Sequence, residues 1–222
     1  MNSSKFKIHS SSKIYGTSVI GKDTVILENV IIGYPEHKVL MEILKQNIEI
    51  EDFGFPGCTI GQNSIIRIGS TIFSNVNTGK NLKTGHNVMI RENTEIGNDV
   101  LIGTNVIIDG HVNIGNNVSI QGNVYIPTNV VIEDSVFIGP CAVLANDKYP
   151  IRKKYELKGP VLRKGASIGA NATLLPDVEI GEGAMVAGGA LVTKNVPSWK
   201  LAIGVPARIR ELPKDLCEWN KI

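Results

Sequence analysis

Hydrophobic and polar positions alternate along this chain with a period of six. In steps of six from residue 60, the positions read Ile60, Ile66, Ile72, Thr78, Thr84, Ile90, Ile96, Ile102, Ile108, Ile114, Ile120, Ile126, Ile132, Ile138 and Leu144. Thirteen of these fifteen are Ile or Leu, a register too strict for a low-complexity or membrane segment. A second run carries Leu162, Ile168, Leu174, Ile180, Val186 and Val192, and a shorter one opens the chain at Ile14, Ile20, Ile26 and Ile32.

The remaining positions of the hexad also repeat. Two residues before the anchor sits a small or β-branched aliphatic residue, as at Val100, Val106, Val112, Val118 and Val124. Three residues after it, from Asn63 to Asp147, twelve of fifteen positions are Asn, Asp or Gly. These residues tolerate the left-handed backbone of a sharp corner. Each hexad therefore predicts a short strand and a corner. Three hexads close a triangular coil of about eighteen residues, and successive coils pair as parallel strands about 4.8 Å apart. Each buried Ile contributes roughly 1.5–3 kcal/mol, offset by the entropy of ordering its coil. Such a solenoid needs stacked coils and capped ends.

Two segments break the ladder. Residues 33–57 shift the register by a non-multiple of six, and Val39, Leu40, Ile43 and Leu44 within them have helical spacing. Residues 146–160 are polar and basic and leave the register intact, which predicts a loop extruded from a rigid scaffold. After Val192 the pattern stops, and Pro197, Pro206 and Pro213 break any long helix. The expected organisation is a β-helix over 1–196 with insertions at 33–57 and 146–160, then a cap over 197–222 with a short helix near Leu216.

Composition narrows the function. Aromatic residues make up only 5% of the chain, so the core must be regular and aliphatic. A formal net charge of +2 gives no nucleic-acid footprint. Three scattered cysteines, Cys58, Cys141 and Cys217, read as reduced thiols rather than a disulfide framework. The first residues hold no apolar run that could serve as a signal peptide, and no stretch approaches a membrane span, so a cytoplasmic protein without membrane partners is expected.

The segments IQGNVYIPTNVVIEDSVFIGPCAVLANDKYP, GASIGANATLLPDVEIGEGAMVAGGALVTKNVP and GVPAR carry a resemblance. The chain resembles the left-handed β-helix hexapeptide-repeat acyltransferases, and within them most resembles the enzymes that N-acetylate an amino sugar carried on a nucleotide. The resemblance implies an all-β fold, a left-handed parallel β-helix. It also implies acetyl-CoA as cosubstrate with no metal, and a homotrimer with active sites between subunits. Handedness comes from the family alone, since ordinary crossovers are right-handed.

The eighteen-residue period indicates which corners stack. Arg91-Glu92-Asn93, Asp109-Gly110-His111, Pro127-Thr128-Asn129 and Ala145-Asn146-Asp147 fall on one edge, with the extruded loop and Tyr149 at its top. By resemblance Asn146 contacts the sugar. Some relatives carry an acidic residue where this chain has Thr128, which leaves the sugar open. His111 stands at a turn position otherwise held by Asn, and His also tolerates that conformation. It is either a turn residue or a base oriented by Asp109. His86 falls on another edge, below Asn105 and Asn123, and in a trimer could face the same cleft from a neighbour. A sugar amine needs little help from a base, whereas a hydroxyl acceptor wants a histidine. By resemblance, Lys164, Gly165 and Ala166, then Ala187 and Gly188, then Pro206, Ala207 and Arg208 contact coenzyme A. Lys164, Lys194 and Arg208 would meet its phosphates.

Other readings remain. An O-acetyltransferase acting on a sugar hydroxyl is the main alternative. A purely structural β-helix would need neither the basic loop nor the GVPAR tail. A γ-type carbonic anhydrase needs three zinc-binding histidines, two of them close in sequence, and this chain has no such set.

Overall fold

The computed structural model describes residues 7–222. Among them, short strands form three sheets of eleven, nine and eight strands, and within the coils the strands of each sheet are parallel and come from every third strand of the chain. Sheet A includes Lys83–Thr84, Leu101–Ile102 and Ser119–Ile120. Sheet B includes Met89–Ile90, Ile107–Ile108 and Tyr125–Ile126, and sheet C includes Glu95–Ile96, Asn113–Ile114 and Val131–Ile132. Partners lie eighteen residues apart, as in Ile90 with Ile108 and Ile108 with Ile126. This is the expected triangular coil, and its topology fits a left-handed parallel β-helix.

The anchors point inward. Ile66, Ile90, Ile102, Ile108, Ile120, Ile126, Ile138, Leu144, Leu162, Ile168 and Leu174 are all fully buried in one continuous core. The two threonine anchors are buried as well. Their hydroxyls are satisfied, Thr78 accepting from the Gly61 N–H at 3.0 Å and Thr84 from the Arg67 N–H at 2.9 Å. A buried hydroxyl with a partner avoids the desolvation penalty of an orphaned one.

The corner prediction holds from Asn63 to Cys141, where every sixth residue has positive φ. His111 (φ 52°), Ser135 (φ 58°) and Cys141 (φ 59°) occupy the same geometry as the asparagines. Asp147 ends this series without a left-handed φ, because the loop departs just before it. Its carboxylate instead accepts from the Tyr149 N–H at 2.8 Å.

Both interruptions are visible in the pairing. Val25 pairs with Ile65, forty positions on rather than eighteen, so the first insertion shifts the register as expected. Within it lies the one α-helix among the described residues, α1 (His37–Gln46), which ends at Asn47 in the left-handed conformation. Val131 pairs with Val161, thirty positions on, so the second insertion restores the hexad phase.

At the C-terminal end the strands Lys200–Ile203 and Arg208–Glu211 form an antiparallel hairpin, which the hexad pattern did not foretell. The predicted terminal helix is a single 3₁₀ turn, Lys214–Leu216. Beyond it the tail runs back over the edge between sheets C and A. There the Asn220 side-chain amide donates to the carbonyls of Ser135 at 3.0 Å and Gly165 at 3.1 Å, and Ser167 Oγ donates to Asn220 Oδ1 at 2.8 Å. No helix among the described residues is long and apolar enough to cross a membrane.

Candidate active site

The edge between sheets B and C gathers most of the predicted substrate residues into one column. At its lower end Arg91 lies between two carboxylates. Its Nη1 donates to Asp109 Oδ1 at 2.9 Å, and its Nη2 and Nε donate to Glu92 at 2.7 and 3.1 Å. These bonds to Glu92 first, and then to Asp109, raise the Arg91 pKa further. The Tyr125 hydroxyl donates to Asp109 Oδ2 at 3.3 Å. Partial burial first, and then the adjacent carboxylate, push the Tyr125 phenol above its usual range.

One corner above Asn93 stands His111. Its N–H donates to the Glu92 carbonyl at 3.0 Å, and its carbonyl accepts from the Asn129 N–H at 3.2 Å. Its ring is exposed, with Nε2 3.4 Å from the amide nitrogen of Asn93. The backbone is thus built into the corner while the imidazole stays free at the surface.

The loop is fastened to the same column. Asn129 Nδ2 donates to the Leu157 carbonyl at 2.8 Å, and the Lys158 N–H donates to the Asn146 carbonyl at 3.0 Å. The Asn146 amide is committed downward, donating to Thr128 Oγ1 at 2.9 Å and to its carbonyl at 3.2 Å. Its Oδ1 is left to meet a ligand donor. Tyr149 packs edge-on to Tyr155 with centroids 5.4 Å apart, and the ammonium of Lys153 lies 5.4 Å from the Tyr149 centroid. The loop carries Lys148, Arg152, Lys153, Lys154 and Lys158 against Asp147 and Glu156, a cationic crown on an edge whose base is anionic.

His86 lies elsewhere, on the edge between sheets A and B. The residue directly above it is Thr104, whose Oγ1 accepts from the His86 N–H at 3.2 Å. Asn87, rather than His86, is the base of the asparagine ladder, Asn87 to Asn105 to Asn123, with amide bonds of 3.4 and 3.2 Å. Asn123 therefore spends part of its side chain within this ladder. Within one chain His86 and His111 occupy different edges.

The residues expected to meet coenzyme A divide into two groups. Ala187 and Gly188 occupy the top of the edge between sheets A and B. Beside them the Gly204–Ala207 tip of the hairpin is pinned by Leu191, whose N–H donates to Gly204 and whose carbonyl accepts from the Ala207 N–H at 2.8 Å. Pro206 and Arg208 are exposed there, as is Lys194 after the last coil strand. A side chain at Gly189 would meet nothing within 4 Å, so this corner is bare. Lys164, Gly165 and Ala166 sit on the third edge. The chain's own tail covers the two small residues, with Trp219 resting on Gly165, while Lys164 stays exposed with its ammonium 5.2 Å from a Trp219 ring centroid.

Below that third edge lies a shallow depression of about 430 Å³, lined by Glu95, Asn113, Glu133, Asp134 and Lys164. Its Glu133 is tied to Arg163 at 2.8 Å, and it lies away from the loop. Among the described residues no cluster of three or more His, Cys, Asp or Glu side chains could hold a metal ion.

Residues 111–146 and 159–194 match the family model described as bacterial transferase hexapeptide, six repeats. These upper coils, about a third of the chain, are thus similar to the hexapeptide-repeat transferases. The match takes in the upper coils and both flanks of the loop, so His111, Thr128 and Asn146 all fall within it. Among curated relatives, the serine acetyltransferase of Buchnera aphidicola is 50% identical over 50 residues, 22% of this chain and 18% of that protein. The dTDP-3-amino-3,6-dideoxy-α-D-galactopyranose 3-N-acetyltransferase of Aneurinibacillus thermoaerophilus is also 50% identical over 50 residues, 22% of this chain and 26% of its own. The chain thus matches about a fifth to a quarter of these relatives' length. Among solved structures, a UDP-N-acetylglucosamine acyltransferase from Bacteroides fragilis shares the fold. It is 18% identical with a TM-score of 0.55, over 91% of this chain and 73% of that one.

Proposed function

We propose that this chain transfers the acetyl group of acetyl-CoA to the amine of a nucleotide-linked amino sugar. In this reading it works in the cytoplasm as a homotrimer, with active sites between subunits. The observation that carries the reading is the pair of relatives, each half identical over 50 residues, whose names share acetyl transfer and differ only in acceptor. Two features favour the amino sugar. The loop-bearing edge is anionic at its base, where Glu92 and Asp109 outnumber Arg91, and that field draws a cationic amino sugar toward the column as it approaches. The cationic loop above suits the diphosphate of a nucleotide.

In this mechanism the amine attacks the thioester carbonyl in its neutral form. The new C–N bond forms as the C–S bond breaks, and His111 takes the proton from nitrogen and passes it to the departing thiolate. Corner N–H groups near Asn146 hold the developing oxyanion. Asn146 and Thr128 orient the sugar, with Arg91, Glu92, Asp109, Asn123, Asn129, Asp147 and Tyr149 as further substrate contacts. His111 is the base on the same edge, and His86 is one that a neighbouring subunit would present. Coenzyme A runs along the bare corner of Ala187 and Gly188 beneath Pro206 and Ala207, with Lys194 and Arg208 toward its phosphates. Lys164, Gly165 and Ala166 join it only where the tail leaves them open.

The second reading is O-acetylation, favoured by the serine acetyltransferase relative and by the exposed ring of His111. Incubation with acetyl-CoA and a panel of nucleotide-linked 3- and 4-amino sugars, hydroxyl sugars and serine separates the two. Free thiol should appear with an amino sugar. Release only with hydroxyl acceptors would replace this reading by the second.

A further inference from the structure

The first insertion builds a pocket that the acyl-transfer chemistry does not use. The strand Ile31–Tyr34 overruns its coil with a register shift between Ile32 and Tyr34, and α1 then folds back beside sheet B. Between them lies a cavity of about 330 Å³, walled by Tyr34, Leu40, Phe73 and Met89 and closed by Arg91 and Asp109. Tyr34 meets Phe73 edge-on at 5.4 Å, and the Arg91 guanidinium lies over the Phe73 ring at 5.8 Å.

We infer that this pocket holds the base of the nucleotide-linked acceptor, with the hydrogen-bonding edge of the base turned to Asp109 and Arg91. The inference rests on the nucleotide-sugar reading above and adds the subsite and its polar contacts. Tyr34 and Phe73 give the cavity flat aromatic walls and Leu40, Met89 and Pro35 apolar ones, with His37 among them, which suits a ring that stacks. At the mouth an acceptor and a donor stand side by side. Asp109 takes one bond at each oxygen, from Arg91 and from Tyr125, and a carboxylate offers about four acceptor sites, so some remain. Arg91 uses three of its N–H groups on Glu92 and Asp109 and keeps the others. The edge of a nucleobase presents the complement, a donor beside an acceptor. A lactam gives its N–H to Asp109 and takes Arg91 at its oxygen, and an amino-substituted ring gives its amino N–H to Asp109 and takes Arg91 at its ring nitrogen.

The charge pattern sets the direction of the rest of the ligand. Glu92 and Asp109 disfavour a phosphate at the pocket, whereas the loop cations sit above the same edge. Asp109 stands two coils below the corner of Asn146, about 10 Å at the spacing of paired strands. A ribose and diphosphate bridge that gap and deliver the sugar to Thr128 and Asn146.

The test is calorimetric titration of the full chain with UDP, dTDP, GDP, CDP, ADP and coenzyme A, without acetyl donor. At least one of the nucleoside diphosphates should bind. Met89 lies on the outer face of its strand, so Met89→Trp fills the cavity without entering the core. It should weaken that nucleotide at least ten-fold and leave coenzyme A affinity and melting temperature unchanged. Asp109→Asn should weaken the same nucleotide several-fold. Wild-type protein that binds a nucleotide but ignores Met89→Trp and Asp109→Asn would overturn the pocket and leave the acetyltransfer reading standing. Binding of no nucleotide at all would overturn both the pocket and the nucleotide-sugar acceptor.

Discussion

Trp219 lies directly on Gly165: a Cβ added to that glycine would come 2.5 Å from Cε3 of the ring. Gly165 has a φ of +68°, and its flat left-handed corner is what lets the indole approach. The same ring meets Trp199 edge-on at 4.9 Å, and Trp199 in turn rests on Gly183. Two bare corners in successive coils thus form the seat of the C-terminal tail.

Gly165→Ala should therefore release the tail. Left-handed strain and the clash together cost about 1–3 kcal/mol. In a Trp219→Ala background the same substitution should cost clearly less, because only the backbone strain is left. Urea denaturation of the four proteins measures the difference, and near-UV circular dichroism reports the lost contact between the tryptophans. Equal costs in both backgrounds would mean that the ring does not bear on the corner.

The core should be most sensitive in the middle of the stack. Ile120 is fully buried with coils on both sides, whereas Ile20, near the first coil, is only partly buried. Ile120→Ala is expected to cost 2–5 kcal/mol, roughly the range for deleting a buried aliphatic side chain, and Ile20→Ala less than half of that. Melting temperatures of the two variants provide the comparison.

The two histidines call for asparagine rather than alanine, since asparagine keeps the left-handed corner at position 111. His111→Asn should leave the melting temperature nearly unchanged while acetyl transfer falls at least about a hundred-fold, the low side of what a general base contributes. His86→Asn should cost no more than a few-fold. A His111→Asn loss confined to KM would make the residue a substrate contact, and no loss would favour proton transfer to the departing thiolate.

The three thiols should differ in reactivity. Cys58 is buried, and desolvation pushes its pKa from 9.0 up to about 11, while Cys141 and Cys217 are exposed. Native protein at pH 8 should react with a thiol reagent at two sites, and unfolded protein at three. The raised value also sets the sign of a pH effect. Above 9.0 the unfolded chain releases the Cys58 proton and the folded chain retains it to about 11, so stability falls across that interval. Cys58→Ala should flatten this part of the stability profile.

Much of this could be read from the chain itself. The hexad period determined the coil, the register, the buried anchors and the left-handed corners, because each coil contacts only its neighbours and a local pattern therefore repeats as a spatial one. It also put Arg91, Asp109, His111, Thr128 and Asn146 on one edge, and revealed both insertions by their effect on phase.

Only the tertiary structure decided what the irregular segments do, because their contacts link residues far apart in sequence and carry no period. Asn220 reaches Ser135 and so covers Gly165, closing an edge that the motif alone left open. Tyr34 meets Phe73 across the first insertion and turns a register slip into a pocket. The Asn146 amide turns down to Thr128, leaving its oxygen for a ligand. Periodic sequence sets the scaffold by short-range stacking, and the site's details come from side chains that the folded coil alone brings together.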